Sequence, residues 1–276
     1  MDIPPDIEEL TDAIRVEPEL NIFDGQLWFL KHCNRVVDQR FLALWLVSRA
    51  YNLQSQKKPG TKGAIDDLER FLAASEIPIQ YIAPVAGVHL DHAFYLADGL
   101  SLVPRSQVSI PRFRRESLDR TGMAPPEAFL VKRDTLRRED STPKDSPFRH
   151  HLYDHSKELS DVCRMLTIAK DSSPRLVAIW EQTEDWVPCG NHLEFESISW
   201  PTERSTAEVV QFSETTLKIA GYFYHRYRRL PDEVKNTLAL YLDRLNSASG
   251  QHNVVDSAID LGIAFEIFFR PRKAKR

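Results

Sequence analysis

The segment His150-His151-Leu-Tyr-Asp-His155 gathers three imidazoles and a carboxylate within six residues. Those ligand types suit zinc or another transition metal. Adjacent histidines point in different directions, and residues 143–155 have the polar composition of a loop. The segment is therefore read as a solvated loop, and no metal or other cofactor is assigned. His89-Leu-Asp-His92 falls in an expected strand, where alternation puts His89 and Asp91 on one face and His92 on the other. Cys189-Gly-Asn-His192 is half of a zinc-like spacing without the other half, and reads as a turn entering a strand. There is no Gly-rich phosphate loop, no G-x-S-x-G elbow and no H-E-x-x-H.

Two basic stretches could meet nucleic acid. Arg112, Arg114, Arg115 and Arg120 surround Phe113, a pattern able to contact phosphate and stack a base. The alternative is a solvated loop after a strand. The tail Arg270-Pro-Arg-Lys-Ala-Lys-Arg276 is more basic still, but short basic ends are commonly just solvated.

The last apolar run holds the acids of greatest interest. His252 to Phe269 is apolar on nearly every side yet carries Asp256, Asp260 and Glu266. A helix of that kind expects neighbours all round. Asp256 and Asp260 are four apart and share a face with Ile263 and Ile267, while Glu266 projects elsewhere. An acid on an apolar face must be paired, hydrogen-bonded or neutralised. The candidate partners are Arg244 and the group Arg226, Arg228 and Arg229. The functional alternative is an acidic contribution to a site between helices.

The elements that would position these groups divide along the chain. Residues 6–16 suggest a short acidic helix or a loose lead-in. Residues 36–53 have helical spacing, though Phe41-Leu-Ala-Leu-Trp-Leu-Val could be a buried strand. Residues 54–63 read as a loop and 65–74 as a short amphipathic helix. Short aromatic or β-branched runs follow at 79–83, 89–97 and 100–103, and Asp98-Gly99 is a hairpin signal. Further strands are expected at 129–132, 175–181 and 192–200, with a helix at 157–169. From residue 205 the pattern turns helical: 207–228, then a helix opened by Pro231, Asp232 and Glu233, then the last run. The expected fold is α+β, with a mixed domain of short antiparallel strands at 1–204 and a helical segment at 205–276.

The composition fits an ordinary globular chain. It has 276 residues, 42% hydrophobic and 28% charged, with a net charge of -4 that gives no global pull toward nucleic acid or anionic membrane. Cys33, Cys163 and Cys189 form no paired pattern, which points to a reducing compartment. No apolar leader or membrane-length run is present, so a cytoplasmic location is expected.

Two of the C-terminal stretches together resemble a known family. Leu238-Ala-Leu-Tyr-Leu-Asp-Arg-Leu-Asn-Ser-Ala, a turn, then Asp256-Ser-Ala-Ile-Asp-Leu-Gly-Ile-Ala-Phe-Glu266-Ile-Phe is similar to the Apea-like branch of the HEPN superfamily. Arg244-Leu-Asn matches the first of its two helices. Asp256, Ile259, Asp260, Leu261, Ile263, Ala264 and Glu266 match the second, with Phe265 in place of a leucine. The match covers about 35 residues. The resemblance implies a helical bundle, often dimeric, in proteins of bacterial conflict and phage defence. Many active members are metal-independent RNases using an Arg and a His four to six residues apart on a later helix. No histidine follows Glu266, so the resemblance implies an incomplete domain without the catalytic half. Arg149 and His155 have a compatible spacing but precede the matching helices, and the role is not transferred to them. Possible partners are RNA, a second copy or another protein met through the C-terminal helices. The competing expectation is a non-enzymatic interaction protein that docks through its last helix.

Overall fold

A computed structural model describes residues 12, 14–16, 27–30, 33–36, 39–110, 115, 116, 118, 125–137, 151–188, 195–197, 208–250 and 253–269. The fold is α+β. The chain forms two compact units. One comprises Met1–Gln80, Arg133–His151 and Glu181–Glu194; the other comprises Tyr81–Lys132, Leu152–Trp180 and Phe195–Arg276. The helical segment after residue 204 thus belongs with strand-bearing segments instead of standing alone. Within this second unit the late helices place side chains on earlier elements: Tyr224 meets Glu158, and Asp243 meets Arg164.

In the first unit, β1 (Leu27–Leu30) and β2 (Cys33–Val36) form an antiparallel pair. Helix α1 spans Gln39–Ser55, resolving the helix-or-strand ambiguity in favour of helix. Helix α2, Gly60–Ala73, begins inside the stretch expected to be loop. The reason is packing. A Cβ on Gly60 would lie 2.9 Å from the Ala50 carbonyl oxygen, and one on Gly63 would lie 2.8 Å from Leu53 Cδ1. These glycines let α1 and α2 approach closely, so they are contact residues within a helix. Ala64, Leu68 and Phe71 form the buried face of α2, and Arg49 binds Asp67 across the helix pair at 2.7 Å.

The strands run longer or shorter than their sequence runs. β3 (Glu76–Ala86) passes through Pro84, whose carbonyl accepts from Val177 N at 2.9 Å. The expected strand at 89–97 is instead β4 (Val88–His89) and β5 (Phe94–Ala97), so the alternation argument for Asp91 and His92 does not apply. β5 turns through Asp98-Gly99 into β6 (Leu100–Pro104), with Ala97 facing Leu100 and Phe94 facing Leu102. Gly99 takes a φ of 70°, which a side-chain-bearing residue adopts at a cost. β7 (Ala128–Arg137), β8 (Arg175–Leu176), β9 (Ala178–Thr183) and β10 (Phe195–Ser197) complete a seven-stranded sheet ordered β10-β9-β3-β7-β6-β5, with β8 on β3. In the second unit Ile82, Phe129, Val131, Val177 and Trp180 are part of one buried cluster, with the Phe129 and Trp180 rings edge to face at 6.4 Å.

Helix α3 is His151–Ala169, so residues 151–155 are helical where a loop was expected. His155 explains the extension: its ring stacks on Tyr81 at 3.6 Å, giving the first turns of α3 a buried anchor. The helix expected over 207–228 starts later. β11 (Val210–Gln211) pairs in parallel with β4, and Ser213 then caps α4 (Glu214–Arg228) by accepting from Thr216 N. Helix α5 (Asp232–Ser249) opens after Pro231 with Asp232 and Glu233 in its first turn, and α6 spans Val254–Phe269. No described helix is long and apolar enough to cross a membrane.

Candidate functional site

The motif residues of the C-terminal helices come together as an antiparallel hairpin. Ser257 Oγ donates to the Ala248 carbonyl at 3.0 Å, and Arg244 Nη1 donates to Asp260 Oδ1 at 3.0 Å. Contacts climb α6 as they descend α5, which only antiparallel helices produce. Asp260 is the acid the sequence required to be paired. It is 7% exposed and takes Arg244, one of the partners expected for it. Asp256 and Glu266 are exposed, so the three acids do not converge on one site.

Asn246, two residues after Arg244, is also buried. Its Nδ2 donates to the Pro174 carbonyl at 2.8 Å, and its Oδ1 accepts from Ser173 Oγ at 2.6 Å. The motif's Arg, Asn and first buried Asp therefore position helices. Ala264 continues the buried side of α6.

The opposite side of α6 is open. Val255, Ala258, Ile259, Gly262, Phe265 and Glu266 are exposed and recur at helical spacing. Val255 is 64% exposed, Ile259 55% and Phe265 54%. A Cβ on Gly262 would meet nothing within 4 Å. The apolar character noticed in the sequence thus splits in two: one stripe packs on α5, and the other is exposed.

A second polar cluster, which no motif announced, ties β7, α3 and α4 together. Glu158 Oε1 accepts from the Tyr224 hydroxyl at 3.0 Å, and Oε2 accepts from Lys132 Nζ. His155 Nδ1 stands 3.8 Å from the same oxygen, too far for a hydrogen bond but close enough for its charge to matter when protonated. Burial pushes the Glu158 carboxyl up, but His155, Lys132 and Tyr224 outweigh it and hold the group at about 2. Burial, followed by the Glu158 charge, pushes the Tyr224 hydroxyl above its ordinary range. Both carboxylate oxygens are engaged, so this cluster fastens elements and offers no idle base. Nearly two turns on, Arg164 forms a two-pronged pair with Asp243 at 2.7 and 2.8 Å and also binds Asp161. Burial opposes its charge, yet these acids raise its affinity for the proton. Between the two clusters Cys163 is buried and free, its thiol pushed up by burial to about 12.

Few of the other candidate residues lie among the described residues. Arg115 is exposed in a short helical stretch, while Arg112, Phe113, Arg114 and Arg120 lie outside the described residues. Arg149, His150, Cys189, His192 and the basic tail also lie outside them. Among the described residues no three metal-ligating side chains converge. His89 Nδ1 contacts Glu127 Oε2, and its Nε2 stands 3.7 Å from Asp91 Oδ1, at the β4–β11 bridge. The lysine and glutamate of the α3 cluster had one faint signal: a charge at each of two positions flanked by apolar core residues, Val131-Lys132 and Glu158-Leu159.

The fold and these contacts define an α+β protein with a C-terminal helical hairpin. No family model matches the sequence, and no curated protein or solved structure matches the chain.

Proposed function

We propose that this chain is a HEPN-like protein of the bacterial conflict type that works by association, with the open stripe of α6 docking a second copy of itself. The observation that carries this reading is the exposed series Val255, Ala258, Ile259, Gly262 and Phe265 on a helix already anchored through its other side. Exposed apolar surface of this kind marks interfaces. A two-fold pairing uses the same stripe on both copies, and Ala258 and Gly262 lack bulk that would keep two helices apart. The helix has 16 residues and is about 24 Å long. The HEPN resemblance supports the choice of a second copy, because dimers are frequent in that family. The motif residues Arg244, Asn246 and Asp260 already have hydrogen-bond partners within the chain, which supports a packing role for them over direct chemistry. RNA is the expected target of the dimer, through the basic run at Arg112, Arg114 and Arg115.

Sedimentation equilibrium of the wild-type chain and Ile259→Glu tests the association, and fluorescence anisotropy with single-stranded RNA tests the target. A dimer dispersed by Ile259→Glu is expected, with RNA retained more weakly by the monomer. A wild-type monomer at all concentrations would overturn the docking reading. A dimer that ignores RNA would leave the interaction role and remove the RNA-directed one.

A further inference from the structure

Helix α4 is anchored through one side only. Leu217, Ala220, Tyr224 and Tyr227 recur at helical spacing and are buried. The Tyr224 hydroxyl donates to Glu158 at 3.0 Å, and the Tyr227 hydroxyl donates to the Lys235 carbonyl at 3.2 Å. A Cβ on Gly221 would lie 3.8 Å from the Leu96 carbonyl oxygen, so the helix sits closely on β5. These contacts fix which side of α4 meets solvent. That side carries Lys218, Ile219, Tyr222, His225, Arg226 and Arg229, all exposed. At about 100° and 1.5 Å per residue they share a face roughly 120° wide and about 17 Å long.

The face is basic, and most of its charge is not spent inside the protein. Glu214 is the one acid of α4, and it takes Lys218 at 2.7 Å. Among the described residues Arg226, Arg228 and Arg229 have no ion pair. In the next helix Asp232 is taken by Lys235 at 3.2 Å. Cations in a last turn complement the helix dipole. That accounts for the charge, but not for the rings set among it. Tyr222 is 59% exposed, and the Arg226 guanidinium lies 6.0 Å from its ring centroid. The His225 ring is about one turn further along. Ile219 is the one aliphatic residue on the face, too little apolar surface for burial in a bilayer.

We propose that this face of α4 binds single-stranded nucleic acid. Arg226 and Arg229 meet phosphates, while bases stack on Tyr222 and His225. Fixed cations beside exposed rings suit a strand whose bases are unpaired. A duplex hides its base faces, and an acidic peptide would use the cations but leave the Tyr222 ring idle. Every base has a face to stack, so binding tolerates sequence. The site uses neither α6 nor the run at Arg112, Arg114 and Arg115, so it stands whether or not the chain pairs with itself.

Fluorescence anisotropy on the full chain tests this with labelled oligouridylate and oligothymidylate, which separate RNA from DNA, beside a duplex of the same length. Co-sedimentation with phosphatidylserine vesicles tests the lipid alternative. At least one single strand is expected to bind. Tyr222→Ala should weaken it at least about five-fold, the lower bound for one lost stack. Arg226→Gln with Arg229→Gln should reduce the slope of log affinity against log salt by about 1.4, as for two phosphate contacts. The replaced side chains are exposed, so melting temperatures should match the wild type and certify the fold. A variant with Arg112→Gln, Arg114→Gln and Arg115→Gln should retain binding, which separates this face from that run. The proposal is overturned if no single strand binds, if the duplex or the vesicles bind better, if either α4 variant binds as the wild type does, or if the Arg112, Arg114 and Arg115 variant loses binding.

Discussion

Protonating Glu158 should cost this protein stability between about pH 4.5 and pH 2. Its carboxyl is held at about 2 against an ordinary value of 4.5. A depressed carboxylate contributes fully above its unfolded value, where both states are ionised. As pH falls through 4.5 the unfolded chain takes up the proton while the folded one resists, so stability drains until about pH 2. A displacement of this size corresponds to about 3 kcal/mol. The side chain is 23% exposed, so solvent screens the Lys132 pair only in part. The assay is urea denaturation, followed by tryptophan fluorescence at pH steps from 7 to 2, for wild type and Glu158→Gln. The difference in stability between the two proteins should shrink by about 3 kcal/mol across that window. Lys132→Met provides the complementary perturbation. It strands a half-buried carboxylate, and breaking a buried pair this way costs roughly 3–5 kcal/mol at pH 7. Part of that loss should return near pH 4, because the carboxyl without its lysine protonates more readily. Parallel pH profiles for wild type and Glu158→Gln would refute the reasoning.

Three further outcomes follow from the packing. Gly250→Ala would place a Cβ 2.5 Å from Ser173 Oγ and 2.7 Å from Arg175 Nη2; Ser173 is held by Asn246, so about 1–3 kcal/mol of overpacking strain is expected in a denaturation experiment. Asp260→Ala should cost roughly 1–3 kcal/mol by removing the acceptor of Arg244, again read by denaturation, and an unchanged midpoint would count against the pair. Cys163, buried and held toward the thiol, should resist iodoacetamide in the native protein and react in urea, as mapped by mass spectrometry.

Much of the architecture can be read from local pattern, and its failures have local causes. The Asp98-Gly99 hairpin was legible because a turn of this kind needs an unusual backbone that few residue types supply. Asp260 was legible because an acid on an apolar helix face must find a cation, and Arg244 stood within reach of a helical hairpin. Gly60 and Gly63 misled because glycine signals a loop by composition, whereas here it relieves contact between two helices. His155 misled for the converse reason: neighbouring polar residues suggested solvent, but a long-range stack on Tyr81 buries it. Arg226 and Arg229 were legible as cations but not as part of a face. Only the burial of Leu217, Ala220, Tyr224 and Tyr227 fixes which side of α4 turns outward.

The open stripe of α6 is the centre of this account, and mass measurement in solution tests it most directly. Light scattering coupled to size exclusion should give twice the 31.8 kDa of one chain for the wild type and a single chain mass for Ile259→Glu, with the same far-UV circular dichroism. A wild-type protein that remains at one chain mass as its concentration is raised would contradict it.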